Sequence, residues 1–548
     1  MKKKILLCSC FGLLIAVRLF YIVSFPLNFG GDASIYYTMI LEKHSSLLMA
    51  PGYPFLMALP FHGMKWLLSW WIRFPEDPVF TPWWQSSQIR GDLLDHPLTS
   101  DFSWIAFFQD HHLIIFQHAI VFLALICGFL LVKKHFGFYP GLLFAFLYGM
   151  SPLSLEWPSS SLPEWLQGSL VIFWIYIADR ANKTSWISFF FLGAIAALAY
   201  LVKFNSLPVF LILFGGWIYW NWDRFWNGAT EIAVSLAGVV FVIGGFQFSY
   251  HRPSTGISDL TLNSWPLADK VLLYAPNSSV TADLGVSAQR LLALSQSLPE
   301  RETIYSPARY FQSVSANDAE RVDFREKFRW MLTAKELDAK GAFYTQDPML
   351  KVAYYIGLPE YSALLRGLYL ESLWKHPFLF LHQTTVGFLY SFSVKDKSYF
   401  FHPKWEEVET GRGEAATHYG YAKFLWPKER HVCYHENGAW LPGVWFFTKQ
   451  EQFWLPTWFL WFMAFLTFAF ACNTWREEKS RKVIFLFTIL VFFVFFSNVI
   501  WIFRLKEFEC VRSLVTTLAA VGLYQVFSLA RLAFRKVFYQ WKMWRYAL

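Results

Sequence analysis

The stretch ILLCSCFGLLIAVRLFYIVSF covers residues 5–25 and directly follows three lysines at positions 2–4. A membrane-spanning helix needs about 20 mostly apolar residues, and this run is long enough. It contains Arg18 and has no small-x-small cleavage site before Asp32, whereas a secretory signal peptide has a shorter apolar core and such a site. The stretch therefore predicts a first membrane span that is not removed.

The composition of the whole chain agrees with a protein that crosses the membrane many times. Hydrophobic residues make up 55% of the 548 residues, charged residues only 16%, and the mean hydropathy is +0.32. A soluble protein carries about 25% charged residues. The net charge of +9 comes from basic residues beside apolar runs, which are topology signals, so membrane lipids are expected partners and nucleic acid is not.

Apolar runs long enough to span a membrane recur along the chain. They predict an α-helical polytopic membrane protein with about 10–12 spans, because every backbone polar group must be satisfied within the hydrocarbon. Besides 5–25, the predicted spans are 113–132, 137–153, 164–178, 185–202, 206–222, 230–249, 454–472, 483–503 and 513–533.

Basic residues fix the predicted orientation of these spans. Cytoplasmic loops are enriched in Lys and Arg. With ten spans, all the basic loops fall on one side, and the acidic residues that follow the first span fall on the other. The loops concerned contain Lys2 to Lys4, Lys133-Lys134, Arg180, Arg476 to Lys482, and the tail from Arg531. We therefore expect a multi-pass protein of the cell (inner) membrane with both termini in the cytoplasm.

Three parts of the chain are expected. Residues 1–250 form an N-terminal transmembrane module with an outer loop at 26–112, and residues 454–548 form the last spans and a basic cytoplasmic tail. Residues 251–453 form an extracytoplasmic region, for which a mixed α/β fold and a mainly helical fold both stay open. Its apolar segment 377–394 is predicted to be interfacial or re-entrant, since a further span would turn the later basic loops outward.

Two short motifs follow the first predicted span. Gly30-Gly31-Asp32 places a carboxylate at the outer boundary of the membrane, with Tyr36 one helical turn later, and Pro51-Gly52-Tyr53-Pro54 reads as a turn that leads into a helix. A helix N-cap is the structural alternative for Asp32, although Ile35 stands where a capping box has Glu or Gln.

This order of motifs resembles the start of the GT-C glycosyltransferases that use polyprenyl-phosphate sugars, such as the protein mannosyltransferases and the lipid A aminoarabinose transferases. The resemblance covers roughly residues 1–260 and 480–530 and depends on the order of the motifs more than on any one of them. It implies a GT-C-like fold and an inverting transferase that acts on the outer side of the membrane.

The resemblance also implies roles for single residues. Asp32 is the expected catalytic general base, with Tyr36 and Tyr53 in support. Glu164, and in second place Asp110, are candidates for a second acid on the acceptor or metal side. Independently of the resemblance, a sugar-phosphate donor needs positive charge where the phosphate leaves, and Lys203, Arg512 and Arg252 are expected to bind that phosphate. Only Arg512 and Arg252 lie in motifs similar to the family's, and Pro253 stands after Arg252 where the family often has Asn. The structural alternatives are a favourable charge at a helix N-terminus for Glu164 and lipid-interface anchoring for the basic residues.

The implied partners are a sugar linked to a polyprenyl phosphate and an acceptor hydroxyl on a lipid, a glycan or a protein. No motif requires a cofactor or a bound metal, although a divalent cation stays possible; Asp110-His111-His112 does not predict a metal site, because adjacent side chains on a helix point in different directions. The alternative function is a transporter or a lipid or polysaccharide flippase, which would need charges in the middle of its spans.

Overall fold

A computed structural model of the chain describes a bundle of helices. Beyond the helices themselves, it describes Tyr36, Ile40, parts of 285–293 and several connecting residues. The described ranges are 2–24, 52–71, 100–160, 162–181, 186–203, 207–220, 229–249, 358–375, 377–392, 454–500 and 505–547.

The described residues are almost entirely helical, and no strand occurs among them. The N-terminal helices are α1 (Lys2–Ser24), α2 (Gly52–Trp71), α3 (Ser100–Phe136), α4 (Phe138–Gly149), α5 (Pro152–Glu156), α6 (Glu164–Arg180), α7 (Trp186–Val202), α8 (Leu207–Trp220) and α9 (Ala229–Ser249). The later ones are α10 (Leu358–Lys375), α11 (Pro377–Ser391), α12 (Thr457–Asn473), α13 (Glu478–Ile500) and α14 (Leu505–Ala547).

Four of these helices are long and apolar enough to cross a membrane, or five if a bent pair is counted as one span. The four lie within α1, α3, α13 and α14, and shorter apolar helices lie within α7, α9 and α12. The chain thus has the features of a helical membrane protein. Apart from 137–153, each predicted span position overlaps one described helix, while the total of ten to twelve spans stays a prediction.

One predicted position differs from the structure. The single span expected over 137–153 is instead two pieces, α4 and the helical segment Pro152–Ser159, which meet at an angle of 64°. Pro152 causes the break, since it has no backbone N–H and begins a new helix. Asp110 lies in α3, two residues before His112, where the membrane-span candidate within this helix begins.

The segments expected outside the membrane are described only in part. The helix expected to follow the Pro51–Pro54 motif is present, but it begins at Gly52, so residues 52–54 are helical and Pro51 lies outside the described residues. Residues 377–391 of the segment 377–394 form α11, which packs on α13 through Phe388 against Phe495 and through a hydrogen bond from Asn498 to Ser391. Most of 251–357 and 393–453 lies outside the described residues, so the fold of the extracytoplasmic region stays a prediction.

The basic ends of three helices meet at one end of the bundle. Asp179 of α6 accepts hydrogen bonds of 2.7 Å from Lys134 and from His135, at the end of α3, and Lys482 of α13 lies 3.3 Å from His135. Partial burial acts to raise the pKa of Asp179, but the two hydrogen bonds outweigh it and lower that pKa. Three loops expected on the same side of the membrane therefore lie together.

The closest helix contact in the bundle is between α7 and α9. A Cβ on Gly193 would lie 1.8 Å from the carbonyl oxygen of Ser235, and a Cβ on Gly238 would lie 2.1 Å from that of Phe190. Small residues allow such an approach between apolar helices, where lipid provides no hydrophobic drive and packing decides the association.

The substitution Gly193→Ala is therefore expected to lower the free energy of unfolding by about 1–3 kcal/mol, since the added methyl group must push α9 away. Gly215→Ala on α8 is the matched control, because nothing lies within 4 Å of a Cβ there. Unfolding of the purified protein in a titration with sodium dodecyl sulfate, followed by circular dichroism, measures both changes. Equal stability of the two variants would show that the contact between α7 and α9 is not tight.

Candidate functional site

A buried polar turn lies between α4 and α6, at the ends of several apolar helices. It comprises Ser151, the five-residue helix α5 and the 3-10 turn Trp157–Ser159. All residues from 151 to 160 are buried, including Glu156, which is 1% exposed. Buried polar groups are costly unless they are hydrogen-bonded. Their partners therefore define the surroundings of this turn, and they come from α1, α3 and α14.

Arg18 of α1 is the first of these partners. Its guanidinium donates hydrogen bonds to the carbonyl oxygen of Ser154 at 3.2 Å and to the hydroxyl of Ser154 at 3.1 Å. It also lies 3.3 Å from Nδ1 of His118. Because Arg only donates, Nδ1 accepts and the proton of His118 sits on Nε2, which lies 3.1 Å from the hydroxyl of Ser159.

Arg512 of α14 reaches the other end of the same turn. Its Nη1 donates to the hydroxyl of Ser151 at 3.1 Å, and the guanidinium lies over the ring of Tyr148 at 4.7 Å from the ring centre. Arg18 and Arg512 are each only 3% exposed, and their like charges repel each other. Two guanidinium groups thus bracket one buried segment, which itself contains the buried side chain of Glu156.

Tyr53 connects α2 to the same turn. Its hydroxyl donates a 2.8 Å hydrogen bond to Oε1 of Gln117, whose Nε2 donates to the carbonyl oxygen of Pro158 at 3.1 Å. The ring of Tyr53 packs edge-on against Tyr36, at 5.6 Å between ring centres, and against Trp165, at 6.1 Å. Tyr36 and Tyr53, expected only to support a site, therefore touch each other directly.

The motif around Tyr53 has a packing reason. A Cβ on Gly52 would lie 2.5 Å from the carbonyl carbon of Leu201, so α2 begins directly against the end of α7. This approach needs a residue without a side chain. It places Tyr53 beside the chain segment that carries Lys203.

Glu164 and Lys203 form an ion pair beside this cluster. Nζ of Lys203 lies 3.0 Å from Oε1 of Glu164, and the two side chains are 19% and 3% exposed. Glu164 is the first residue of α6, where the helix dipole favours a negative charge. Its other oxygen, Oε2, has no hydrogen-bond partner among the described residues and is free to accept a donor. The predicted acid and the predicted phosphate-binding lysine are thus direct partners.

The structure accordingly brings several sequence-predicted residues into one polar cluster and leaves others undescribed. Asp32 and Arg252 lie outside the described residues, and the side chain of Asp110 is not described. Within the described ranges, no group of three or more His, Cys, Asp or Glu side chains is arranged to hold a metal ion. The residues placed in or beside the cluster are Tyr36, Tyr53, Glu164, Lys203 and Arg512.

Arg18 and His118 belong to the cluster but were not predicted as site residues. The signal for Arg18 was present, since an ionisable residue inside an apolar span marks a functional site by default. It is six residues, or roughly 9 Å, from the end of α1, which is near the boundary and not at the middle of the span. His118 carries no such signal, because a single histidine on an apolar helix gives no indication of its partner.

No protein-family model matches the chain, and no curated protein or solved structure is significantly similar to it. The chemistry of the cluster therefore has to be argued from its own residues.

Proposed function

We propose that this protein is a membrane glycosyltransferase that moves a sugar from a polyprenyl phosphate to a hydroxyl group of a lipid, a glycan or a protein. The reaction takes place on the outer side of the cell (inner) membrane, with both termini in the cytoplasm and a GT-C-like fold. The observation that carries the proposal is the buried pair Arg18 and Arg512 beside the Glu164–Lys203 ion pair, where apolar helices end.

Positive charge is what this reaction demands. The leaving group is a lipid phosphate, on which negative charge develops in the transition state. Pre-oriented donors in a region without water stabilise such charge far better than water does. Arg512 suits a phosphate, because its planar fork can engage two oxygens at once. Lys203 and Arg252 are the further cations proposed for the phosphate, and Glu164 orients Lys203 at 3.0 Å.

Asp32 is proposed as the general base. It stands four residues before Tyr36, which is buried against Tyr53. Four residues of chain extend at most about 14 Å, which is the upper limit on the distance between the Cα atoms of Asp32 and Tyr36 and is compatible with a role beside the cluster. General-base assistance contributes typically about 10²–10⁴ in rate.

The proposed reaction is a single in-line displacement. The Asp32 carboxylate takes the proton of the acceptor hydroxyl while the hydroxyl oxygen attacks the anomeric carbon. The bond from that carbon to the phosphate oxygen breaks, and the polyprenyl phosphate leaves with the electron pair. Attack and departure occur on opposite faces, so the configuration at the anomeric carbon inverts. Holding both lipid-confined reactants in register supplies much of the remaining rate.

Transfer of a radiolabelled sugar in membranes tests this function. We expect transfer from a polyprenyl-phosphate sugar but not from a nucleotide sugar, and Arg512→Gln is expected to lower it about 10- to 100-fold, the worth of one hydrogen bond to a charged group. Arg476→Gln, at an exposed turn between α12 and α13, is the matched control. Melting curves show whether each variant is folded. No transfer by the wild-type protein from any polyprenyl-phosphate sugar, or equal loss in both folded variants, would refute the proposal.

A transporter or flippase is the second candidate, and one observation favours it. Arg18 and His118 are buried inside candidate membrane spans, where polar residues often line transport pathways, although Arg18 lies nearer the end of its candidate span, Lys2–Ile22, than the middle. Purified protein in liposomes separates the two functions: a flippase moves labelled polyprenyl phosphate across the bilayer without an acceptor. A transferase forms a glycosylated product and leaves the lipid on its own leaflet.

A further inference from the structure

An apolar groove lies at the end of the bundle where the basic residues gather. It has a volume of about 630 Å³ and lies between α1, α4 and α14. Each helix contributes residues from a stretch of about two turns. The lining residues are Leu6, Ser9, Cys10, Leu13, Tyr139, Leu142, Leu143, Phe146, Tyr524, Phe527, Ser528 and Arg531. None of them belongs to the polar cluster around Arg512, so this groove is a separate site.

The groove is open at the outer surface of the helix bundle, where several of its lining side chains are exposed. Leu6 is 44% exposed, Leu13 47% and Phe527 63%. Such residues on helices that cross a membrane face hydrocarbon, and an acyl chain is the apolar partner available there. A groove of this shape therefore suits a lipid chain better than a soluble ligand.

The only charge among the residues that line the groove is positive. Arg531 is the only charged residue of the lining, and the hydroxyls of Ser9, Ser528, Tyr139 and Tyr524 are its other polar groups, apart from the Cys10 thiol. The rings of Tyr139 and Tyr524 stack at 6.0 Å, and Nζ of Lys3 lies 6.0 Å from the centre of the Tyr139 ring. Cations and hydroxyls without a carboxylate among the lining residues match the phosphate of an anionic headgroup.

We propose that the groove binds one anionic glycerophospholipid of the cytoplasmic leaflet. One acyl chain lies against Leu13, Leu142 and Phe146, and the phosphate lies near Arg531, with Lys3 as a second cation at the same end. The lipid bridges α1 and α14, the first and the last of the described helices, both of which also pack on α4. Its binding stabilises the folded bundle, because a ligand that binds only the folded state shifts the unfolding equilibrium.

Native mass spectrometry of the full-length protein in a neutral detergent tests the proposal. Phosphatidylglycerol and phosphatidylcholine are titrated separately, and the first bound lipid is quantified. We expect phosphatidylglycerol to bind the wild-type protein several-fold more tightly than phosphatidylcholine. Arg531→Gln should weaken this first binding about fivefold, since one cation near the membrane surface is worth about 1 kcal/mol.

Further variants distinguish binding of the lipid in the groove from its attraction to the basic surface in general. Arg535→Gln removes the same charge one turn later on α14, outside the groove, and should change the first binding less than twofold. Ser528→Phe fills the groove and should abolish the first binding of either lipid. Ser9→Phe fills it from the exposed face of α1 and replaces Ser528→Phe if that variant does not fold.

Three results would overturn the proposal. Equal weakening by Arg531→Gln and Arg535→Gln would mean that lipid is held by surface charge alone. Unchanged binding in the folded groove-filling variant would place the lipid elsewhere. A dimer of the protein that disappears on filling the groove would identify a second copy of the chain as its occupant. None of these results depends on glycosyl transfer.

Discussion

Asp32→Asn should reduce sugar transfer by about 10²–10⁴-fold, the range that a positioned general base contributes. The amide has the shape of the carboxylate but cannot take up the proton of the acceptor hydroxyl. Substrate binding depends on other residues, so the loss is expected in kcat and much less in KM. Tyr36, four residues later in the sequence, packs against Tyr53, whose hydroxyl is hydrogen-bonded to Gln117 in the polar cluster.

Single-turnover transfer from a radiolabelled polyprenyl-phosphate sugar measures this loss directly. Asp179→Asn is the matched control, because Asp179 lies at the opposite, basic end of the bundle and its substitution should leave the rate within twofold. Circular dichroism and melting curves establish that both variants are folded. An unchanged rate for Asp32→Asn would show that Asp32 is not the general base. The use of a polyprenyl-phosphate donor would then be tested separately by the Arg512→Gln variant.

Glu164→Gln should destabilise the protein by about 3 kcal/mol, since removing one partner of a buried ion pair exposes the other charge to a poorly solvating environment. The side chain of Glu164 is 3% exposed, and Lys203 keeps an exposure of 19%, which places the expected value at the lower end for buried pairs. Unfolding in sodium dodecyl sulfate gives the free energy.

A double-mutant cycle isolates the interaction itself. Glu164→Gln, Lys203→Met and the double variant should give a coupling energy of about 1.5–3 kcal/mol, with the double variant more stable than the sum of the single effects implies. The pair of Lys134 and Asp179 is the control cycle. Lys134 is 57% exposed, and exposed pairs contribute about 0.2–1 kcal/mol. Additive effects at Glu164 and Lys203 would show that their contact at 3.0 Å carries no stability.

The activity of the same variants bears on the proposed function. If Lys203 binds the donor phosphate and Glu164 orients it, both single variants lose transfer and the double variant does not regain it, although its stability partly recovers. Recovery of transfer together with stability would instead make the pair a structural contact. The cycle therefore distinguishes the sequence-based role of Lys203 from the structural alternative of an interfacial anchor.

The positions of the helices could be predicted well from the sequence. The expected spans 164–178, 185–202 and 230–249 coincide with α6, α7 and α9 within two residues. This works because an apolar stretch in lipid must satisfy its own backbone hydrogen bonds, which only a local helix does within one segment. The expectation failed at 137–153, where Met150, Ser151 and Pro152 interrupt an otherwise apolar run, so that hydropathy alone missed the break.

The residues of the candidate site could be predicted one by one from the sequence, but which of them lie together could not. Glu164 and Lys203 were predicted for two different roles, and their pairing across 39 residues was not foreseen. Arg18 was visible as a charge in an apolar run, while its contact with Ser154, 136 residues away, was not. The same holds for Arg512 and Ser151, which are 361 residues apart.

Helical spans, their approximate ends and the segregation of basic residues were determined by the sequence itself, because each depends on local hydropathy and charge. The convergence of Arg18, Arg512 and the Glu164–Lys203 pair around one buried turn was decided only by the tertiary structure. The physical reason is that lipid-facing and core-facing sides of these helices are both apolar, so no amphipathic pattern indicates which face turns inward. Close packing at small residues and the pairing of buried polar groups make that choice, and both act between distant parts of the chain.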